Sequence, residues 1–245
     1  MSSPVKLYQQ EMHDSTGFFA TWLPGDTIEI GDAGIIEGGR FRRMASLKEL
    51  GIKFTLSRGQ STQDVDYSST QGTKISTATS AEAATVVKAE INIDFSRQGA
   101  FLFQASKLQT WQLENRMSVG EQIVKAYRQK KWDKSWLLIE SLHAAERATI
   151  IVSEDNAAGL ILVAKMDEAI PSVSLVDPKV SLSVTSSRGK LIKLVGSEGL
   201  HPLYSCLRLK DPLFGLPSIQ PVRGVKESGA ESHFTRPGIS ELLDN

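Results

Sequence analysis

The stretch from Gly25 to Gly39, GDTIEIGDAGIIEGG, sets five glycines and two aspartates around a short apolar alternation, the composition of a loop that cradles a phosphate or a cation. Neither chemistry finds its spacing. A dinucleotide loop needs G-x-G-x-x-G and a phosphate loop needs G-x-x-x-x-G-K-[ST]; Gly25, Gly31, Gly34, Gly38 and Gly39 match neither. No long helix follows to lend its N-terminus to an anion. Asp26, Glu29 and Asp32 fall three residues apart, and no glutamate completes a calcium ladder. Turn chemistry remains, because glycine tolerates positive φ and aspartate caps backbone N–H groups.

The four histidines, His13, His143, His201 and His233, are scattered. Glu140 and His143 form one E-x-x-H, but the dinuclear sites that use it need a second copy and further glutamates on facing helices. A structural or surface role for His143 is the expectation, with neither metal nor cofactor bound. Cys206 is the single cysteine, which rules out an internal disulfide and a cysteine-built zinc or iron–sulfur site. It alternates with Tyr204 and leucines in LYSCLRL, so burial in a sheet is expected rather than nucleophilic reactivity. The pairs Glu154-Asp155 and Asp64-Asp66 lie in polar stretches, where solvation gives no reason for a shifted pKa. An enzyme, of the hydrolase or nucleotide-processing kind, would have to be assembled from loops such as 24–39 and 153–159. Its signature would be a buried cluster of His143, Glu140 and Asp32.

Two basic clusters remain. Arg40, Arg42 and Arg43 frame Phe41, while Lys125, Arg128, Lys130, Lys131 and Lys134 surround Tyr127, Trp132 and Trp136. Cations interleaved with aromatics bind anions by charge and stacking; equally, lysines decorate a helix's solvent face and favour its C-terminal dipole while tryptophans enter the core. Lys125, Arg128, Lys130, Lys131, Arg40, Arg42 and Arg43 are the candidate contacts for an anionic partner. Lys plus Arg and Asp plus Glu stand at 28 each, so no global charge points to nucleic acid. A protein partner or self-assembly is expected, an anionic membrane is the other target, and nothing identifies a small molecule.

These residues are positioned by an α+β fold, expected as a mostly antiparallel multi-stranded sheet with one capped amphipathic helix at about 118–131 and a few short helices. In VVKAEINIDF, Val87, Ala89, Ile91, Ile93 and Phe95 share one strand face and Lys88, Glu90, Asn92 and Asp94 the other. SRQG turns the chain into GAFLFQAS. In SVGE, Ser118 and Glu121 have the spacing of a capping box, followed by Val119, Ile123 and Tyr127 on one helical face. Short strands are expected at Thr27–Ile30, restarting at Ile35-Ile36, and at Ile52–Leu56; MASLKELG supplies a helical turn ending at Gly51. SWLLIESL, ATIIVS and LILVAKM read as three antiparallel strands, with a helix over 136–147 as the alternative. VSLVDPKVSLSV, KLIKLVG and LYSCLRL add strands.

Residues 57–85 are rich in Ser, Thr, Gln and Gly and read as an exposed loop or a pair of strands with one weakly apolar face. They form a polar insertion in a single domain at 1–215, followed by a flexible tail at 216–245, rich in Pro, Gly, Ser and charge. Ile239, Leu242 and Leu243 give that tail an apolar hook for docking. Neither a signal peptide nor an apolar run of about 20 residues is present, so a soluble, cytoplasmic chain is expected. The leading function is a non-enzymatic binding or effector protein acting through protein or anionic-surface contacts and regulated by its tail. A second function follows from TKISTATSAEAATVVKAEINIDF and VSLVDPKVSLSVTSSRGKLIKLVG, hairpins with one face apolar enough for lipid and one polar face. With basic clusters for anionic lipid and a removable tail, this layout is similar to that of gasdermin-like pore formers, a likeness of arrangement rather than of motif.

Overall fold

The computed structural model describes residues 3–21, 28–83, 86–166, 174–210 and 234–235. In chain order the elements are α1 (Pro4–Thr16), β1 (Phe19–Ala20), β2 (Asp32–Glu37), β3 (Arg40–Ser46), β4 (Leu56–Arg58), β5 (Gln63–Ser68), β6 (Thr73–Ala83), β7 (Val86–Phe95) and β8 (Phe101–Leu113). After these come α2 (Arg116–Arg128), β9 (Leu137–Ser153), β10 (Ala158–Met166), β11 (Ser181–Arg188), β12 (Leu191–Leu209) and β13 (Phe234–Thr235). The fold is α+β with a mostly antiparallel, multi-stranded sheet, as the patterning predicts. The chain divides into two compact units, one of residues 1–16, 61–109 and 144–202, the other of 17–60, 110–143 and 203–245.

In the first unit β6, β7, β10 and β11 form a four-stranded antiparallel sheet in the order β11-β10-β7-β6, while β5 pairs with β8. Ala89, Ile91, Ile93 and Phe95 of β7 are buried with Leu160, Leu162 and Ala164 of β10 over Ala100, Leu102 and Ile151. Each large side chain removed from water in this way contributes about 1.5–3 kcal/mol. Helix α1 has Pro4 at its first position, where the missing N–H costs nothing, and buries Tyr8 and Met12 one turn apart. Tyr8 meets Phe101 edge to face at 5.1 Å. Leu7 packs so closely on the β7–β8 turn that a Cβ at Gly99, where φ is +76°, would lie 2.5 Å from its Cβ. This helix is absent from the sequence-based expectations.

In the second unit α2 covers a sheet in which β12 pairs with β1 and β13, β2 with β9 and β3, and β4 with β8. Val119 and Ile123 of α2 are fully buried with Leu113, Leu138 and Trp132. The opening stretch is a hairpin: Gly38 and Gly39, at φ +60° and +81°, form the two-residue loop between Glu37 and Arg40 that a primed turn requires. The register slips between Ala33 and Gly34, where a Cβ on Gly34 would stand 2.0 Å from the Arg42 carbonyl oxygen. Of the strand expected at 27–30, residue 27 lies outside the described residues, and 28–30 are not in a strand.

Several expectations are corrected. No side chain caps α2; it starts at Arg116, two residues before Ser118, after Asn115. Asn115 Oδ1 instead accepts the Thr55 N–H at 2.8 Å, and Gln122 Oε1, at the middle of α2, accepts the Lys53 N–H at 3.3 Å, so polar groups before and on this helix serve the chain before β4. The reciprocal box forms at 46–49, where the Glu49 N–H donates to Ser46 Oγ at 3.2 Å and the Ser46 N–H to Glu49 Oε2 at 2.9 Å. The strand expected over 52–56 is β4, beginning only at Leu56. SWLLIESL and ATIIVS are one strand, β9, and KLIKLVG and LYSCLRL are one strand, β12, because residues 143–147 continue β9 and residues 197–202 continue β12 in spite of the positive φ at Gly199. Residues 57–83 form β4, β5 and β6.

Candidate functional site

The sheet of β6, β7, β10 and β11 sorts its side chains into two faces by register. Ile93 lies opposite Leu160 on one side and Ile75 on the other; Ile91 lies opposite Leu162 and Thr77; Phe95 lies opposite Ala158 and Thr73. Val184 and Leu182 of β11 continue this face opposite Leu162 and Ala164. The face extends past what the core covers, since Ile75 is 45% and Val184 42% exposed. The opposite face carries Glu90, Asn92, Asp94 and Lys165, with Ile161 and Val163 of β10 between them, and is continued by Ser183, Ser186 and Arg188. Arg188 Nη2 reaches Asp94 Oδ1 at 2.7 Å across Gly159, where a Cβ would lie 2.8 Å from that oxygen. Strand alternation dictates this sorting.

Helix α1 is tied to two of the turns at one end of this sheet, the one before β6 and the one after β7. Glu11 Oε1 accepts the Thr70 N–H at 2.8 Å, Glu11 Oε2 pairs with Arg97 Nη2, and Arg97 Nε donates to the Gln71 carbonyl at 2.8 Å.

The two basic clusters differ. Arg42 pairs with Glu37 at 3.1 Å, and Arg43 holds Asp32 at 2.9 Å and Glu49 at 2.6 Å, which raises the pKa of its guanidinium. Arg40 is exposed beside the hairpin turn. The acidic side of GDTIEIGDAGIIEGG thus faces the arginines through Asp32, while Asp26 lies outside the described residues. A pocket of about 200 Å³ opens here, lined by Glu29, Asp32, Arg43, Lys48 and Phe54 among others, and its charges neutralise one another. Lys125, Arg128, Lys130 and Lys131 are exposed on and just after the last turn of α2, with no carboxylate within ion-pair distance among the described residues. Trp132 is buried against Trp136, ring centroids 5.5 Å apart, so these aromatics serve the core.

Glu140, His143 and Asp32 take separate partners. Glu140 is fully buried, with Oε2 3.0 Å from Arg116 Nε and Oε1 accepting from Ser205 Oγ at 3.3 Å; Ser205 and Ser141 hydroxyls lie 2.5 Å apart. His143 Nδ1 meets Thr110 Oγ1 at 3.0 Å, and Phe18 lies 4.0 Å from the imidazole, ring centre to ring centre. Burial pushes the His143 pKa down to about 4. His143 is on a strand, where a residue three places from Glu140 points to the other face. No group of three or more metal-ligating side chains comes together among the described residues. Cys206 is buried in β12, as its alternation predicts.

Within the tail, Phe234 and Thr235 pair with Leu209 and Arg208 as β13. Ile239, Leu242 and Leu243 lie outside the described residues. No described helix is long and apolar enough to cross a membrane.

No protein-family description matches the sequence, and no curated protein matches it either. Among solved structures the chain is similar to the cryo-EM structure of the Gasdermin A3 membrane pore, with 11% identity over 95% of this chain and 99% of that chain at a TM-score of 0.37, a likeness that bears on neither activity nor mechanism.

Proposed function

We propose that the chain is a non-enzymatic, cytoplasmic effector that acts on anionic membranes by inserting the β6–β7 and β10–β11 hairpins. The observation that carries this is the two-faced sheet: four adjacent antiparallel strands of 8 to 11 residues, with one continuous apolar or small face and one mostly polar face on which Ile161 and Val163 are the apolar interruptions in β10. At about 3.3 Å per residue and a tilt of about 45°, β6 rises about 26 Å, enough for the roughly 25 Å apolar band of a membrane barrel, whereas β11 rises about 19 Å and must lengthen into its flanking residues on insertion. Lipid would replace the protein core against Ile91, Ile93 and Leu160. In lipid every backbone group needs a partner, and β6 and β11 each pair on one side only within their sheet, so insertion requires copies to pair edge to edge.

The exposed Lys125, Arg128, Lys130 and Lys131 supply the contact with anionic headgroups, and Arg40 adds to it. The β13–β12 pairing gives the tail a foothold from which to restrain assembly, with Ile239, Leu242 and Leu243 as further docking residues. Dye-loaded vesicles test this. The expected result is release from vesicles rich in anionic lipid, greater after proteolysis within residues 211–233, and little release from zwitterionic vesicles. Absence of release before and after cleavage would sink the proposal, and binding without release would leave a docking protein.

A further inference from the structure

Residues 174–180 lead into β11 and have no sheet partner of their own. Leu175 and Val180 are anchored in the apolar cluster of the first unit, at 3% and 1% exposure. Side chains of two neighbouring strands hold the backbone of this segment. Arg147 on β9 donates from Nη1 to the Asp177 carbonyl at 2.6 Å, from Nη2 to that of Val180 at 3.5 Å, and from Nε to that of Gly196 on β12 at 3.0 Å. Two residues on, Thr149 donates to the Leu175 carbonyl at 2.8 Å and accepts the Gly196 N–H at 2.9 Å. Gln104 on β8 accepts the Leu175 N–H at 3.0 Å. Gly196 has φ +60°, and a Cβ there would lie 2.7 Å from Arg147 Nη2, so β12 is shaped around the guanidinium. Among the described residues that guanidinium is partnered by carbonyls alone.

We propose that Arg147, Thr149 and Gln104 form a clasp that keeps residues 174–180, and with them the β10–β11 hairpin, on the core, and that opening of the clasp sets how fast this hairpin is released; its functional consequence rests on the membrane-inserting role proposed above. The ladder between β10 and β11 can travel with the hairpin. What must break are the side-chain bonds to strands that stay behind, the burial of Leu160, Leu162, Leu175 and Val180, and the β10–β7 ladder unless β6 and β7 leave together with the hairpin. A charge-assisted bond lost from such an equilibrium changes it by about tenfold to a hundredfold.

Hydrogen exchange on the full chain tests the clasp directly. In Arg147→Met, peptides spanning 174–188 should exchange about tenfold faster or more, those spanning 110–128 should be unchanged, and Arg147→Lys should fall between Arg147→Met and the parent. Thr149→Val, which removes the second pair of bonds at nearly constant volume, should speed the same peptides and provides the test should Arg147→Met not fold. Unchanged exchange at 174–188, or an equal rise throughout the chain, overturns the clasp. Dye release from anionic vesicles separates the two proposals. If the parent chain releases dye, Arg147→Met should release it several-fold faster, and an unchanged rate overturns control by the clasp while membrane insertion stands. If the parent chain releases none, insertion fails, and exchange alone decides whether the clasp exists.

Discussion

Acid should destabilise this protein through His143, and the size of the effect follows from its surroundings. The imidazole is 4% exposed, with Thr110 Oγ1 on Nδ1, the Phe18 ring 4.0 Å away centre to centre, and no hydrogen-bond partner for Nε2 among the described residues. Burial lowers its pKa from 6.5 to about 4. Because the folded value lies below the unfolded one, the folded state holds the neutral ring, and the unfolded chain takes up the proton first as pH falls. The associated stability is fully present above about pH 6.5 and is lost progressively down to about pH 4, below which no more is lost. At 1.36 kcal/mol per tenfold change in proton affinity, the loss is about 3 kcal/mol. Urea unfolding of the parent and of His143→Gln near pH 7 and near pH 4 isolates it, since glutamine can still bond Thr110 but does not titrate, and the carboxylates common to both chains cancel. The parent should lose about 3 kcal/mol more than the variant over this interval. Equal losses in the two chains would refute burial as the cause.

Three other perturbations have defined outcomes. Gly34→Ala should lower unfolding stability by more than about 2 kcal/mol, because its Cβ would meet the Arg42 carbonyl oxygen at 2.0 Å and backbone must move; thermal denaturation would show it. Arg116→Leu should destabilise by about 3–5 kcal/mol in chemical denaturation, since it strips the ion pair from the fully buried Glu140. Adding Glu140→Leu should recover part of that loss, because the buried carboxylate that has lost its arginine partner is then gone as well. Replacing Lys125, Arg128, Lys130 and Lys131 together by glutamine should weaken sedimentation with anionic vesicles by about 1 kcal/mol for each cation in contact, with little change in melting temperature.

Strand periodicity made the centre of the candidate site legible. The alternation in VVKAEINIDF survives as the two faces of β7, and the paired glycines of GDTIEIGDAGIIEGG as the two-residue turn of β2 and β3. Both signals are local, set by a two-residue side-chain period and by the steric freedom of glycine at positive φ. Pro4 with Tyr8 and Met12 one turn apart would have revealed α1 by the same logic. A capping box is less secure evidence, because Ser-x-x-Glu occurs at both 46–49 and 118–121 and only the first closes; before and on α2, Asn115 and Gln122 bond instead to residues about 60 to 70 positions away.

Partnerships between distant residues needed the tertiary structure. In sequence, Arg42 and Arg43 are as cationic as Lys125 and Lys130, yet strand pairing brings Arg43 to Asp32 and Arg42 to Glu37, while the lysines of α2 stay exposed. Glu140 and His143 read as one motif, and the strand that carries them sends them to opposite faces with separate partners. Arg147 gives no sign of meeting three carbonyls up to 49 positions away. The sequence by itself determined the strand faces, the glycine turn and the single buried cysteine, because each depends on backbone geometry and the pattern of near neighbours. Only the tertiary structure decided which charges are neutralised, which stay on the surface and which close the clasp, because charge pairing acts across space between segments that the chain's own periodicity does not relate.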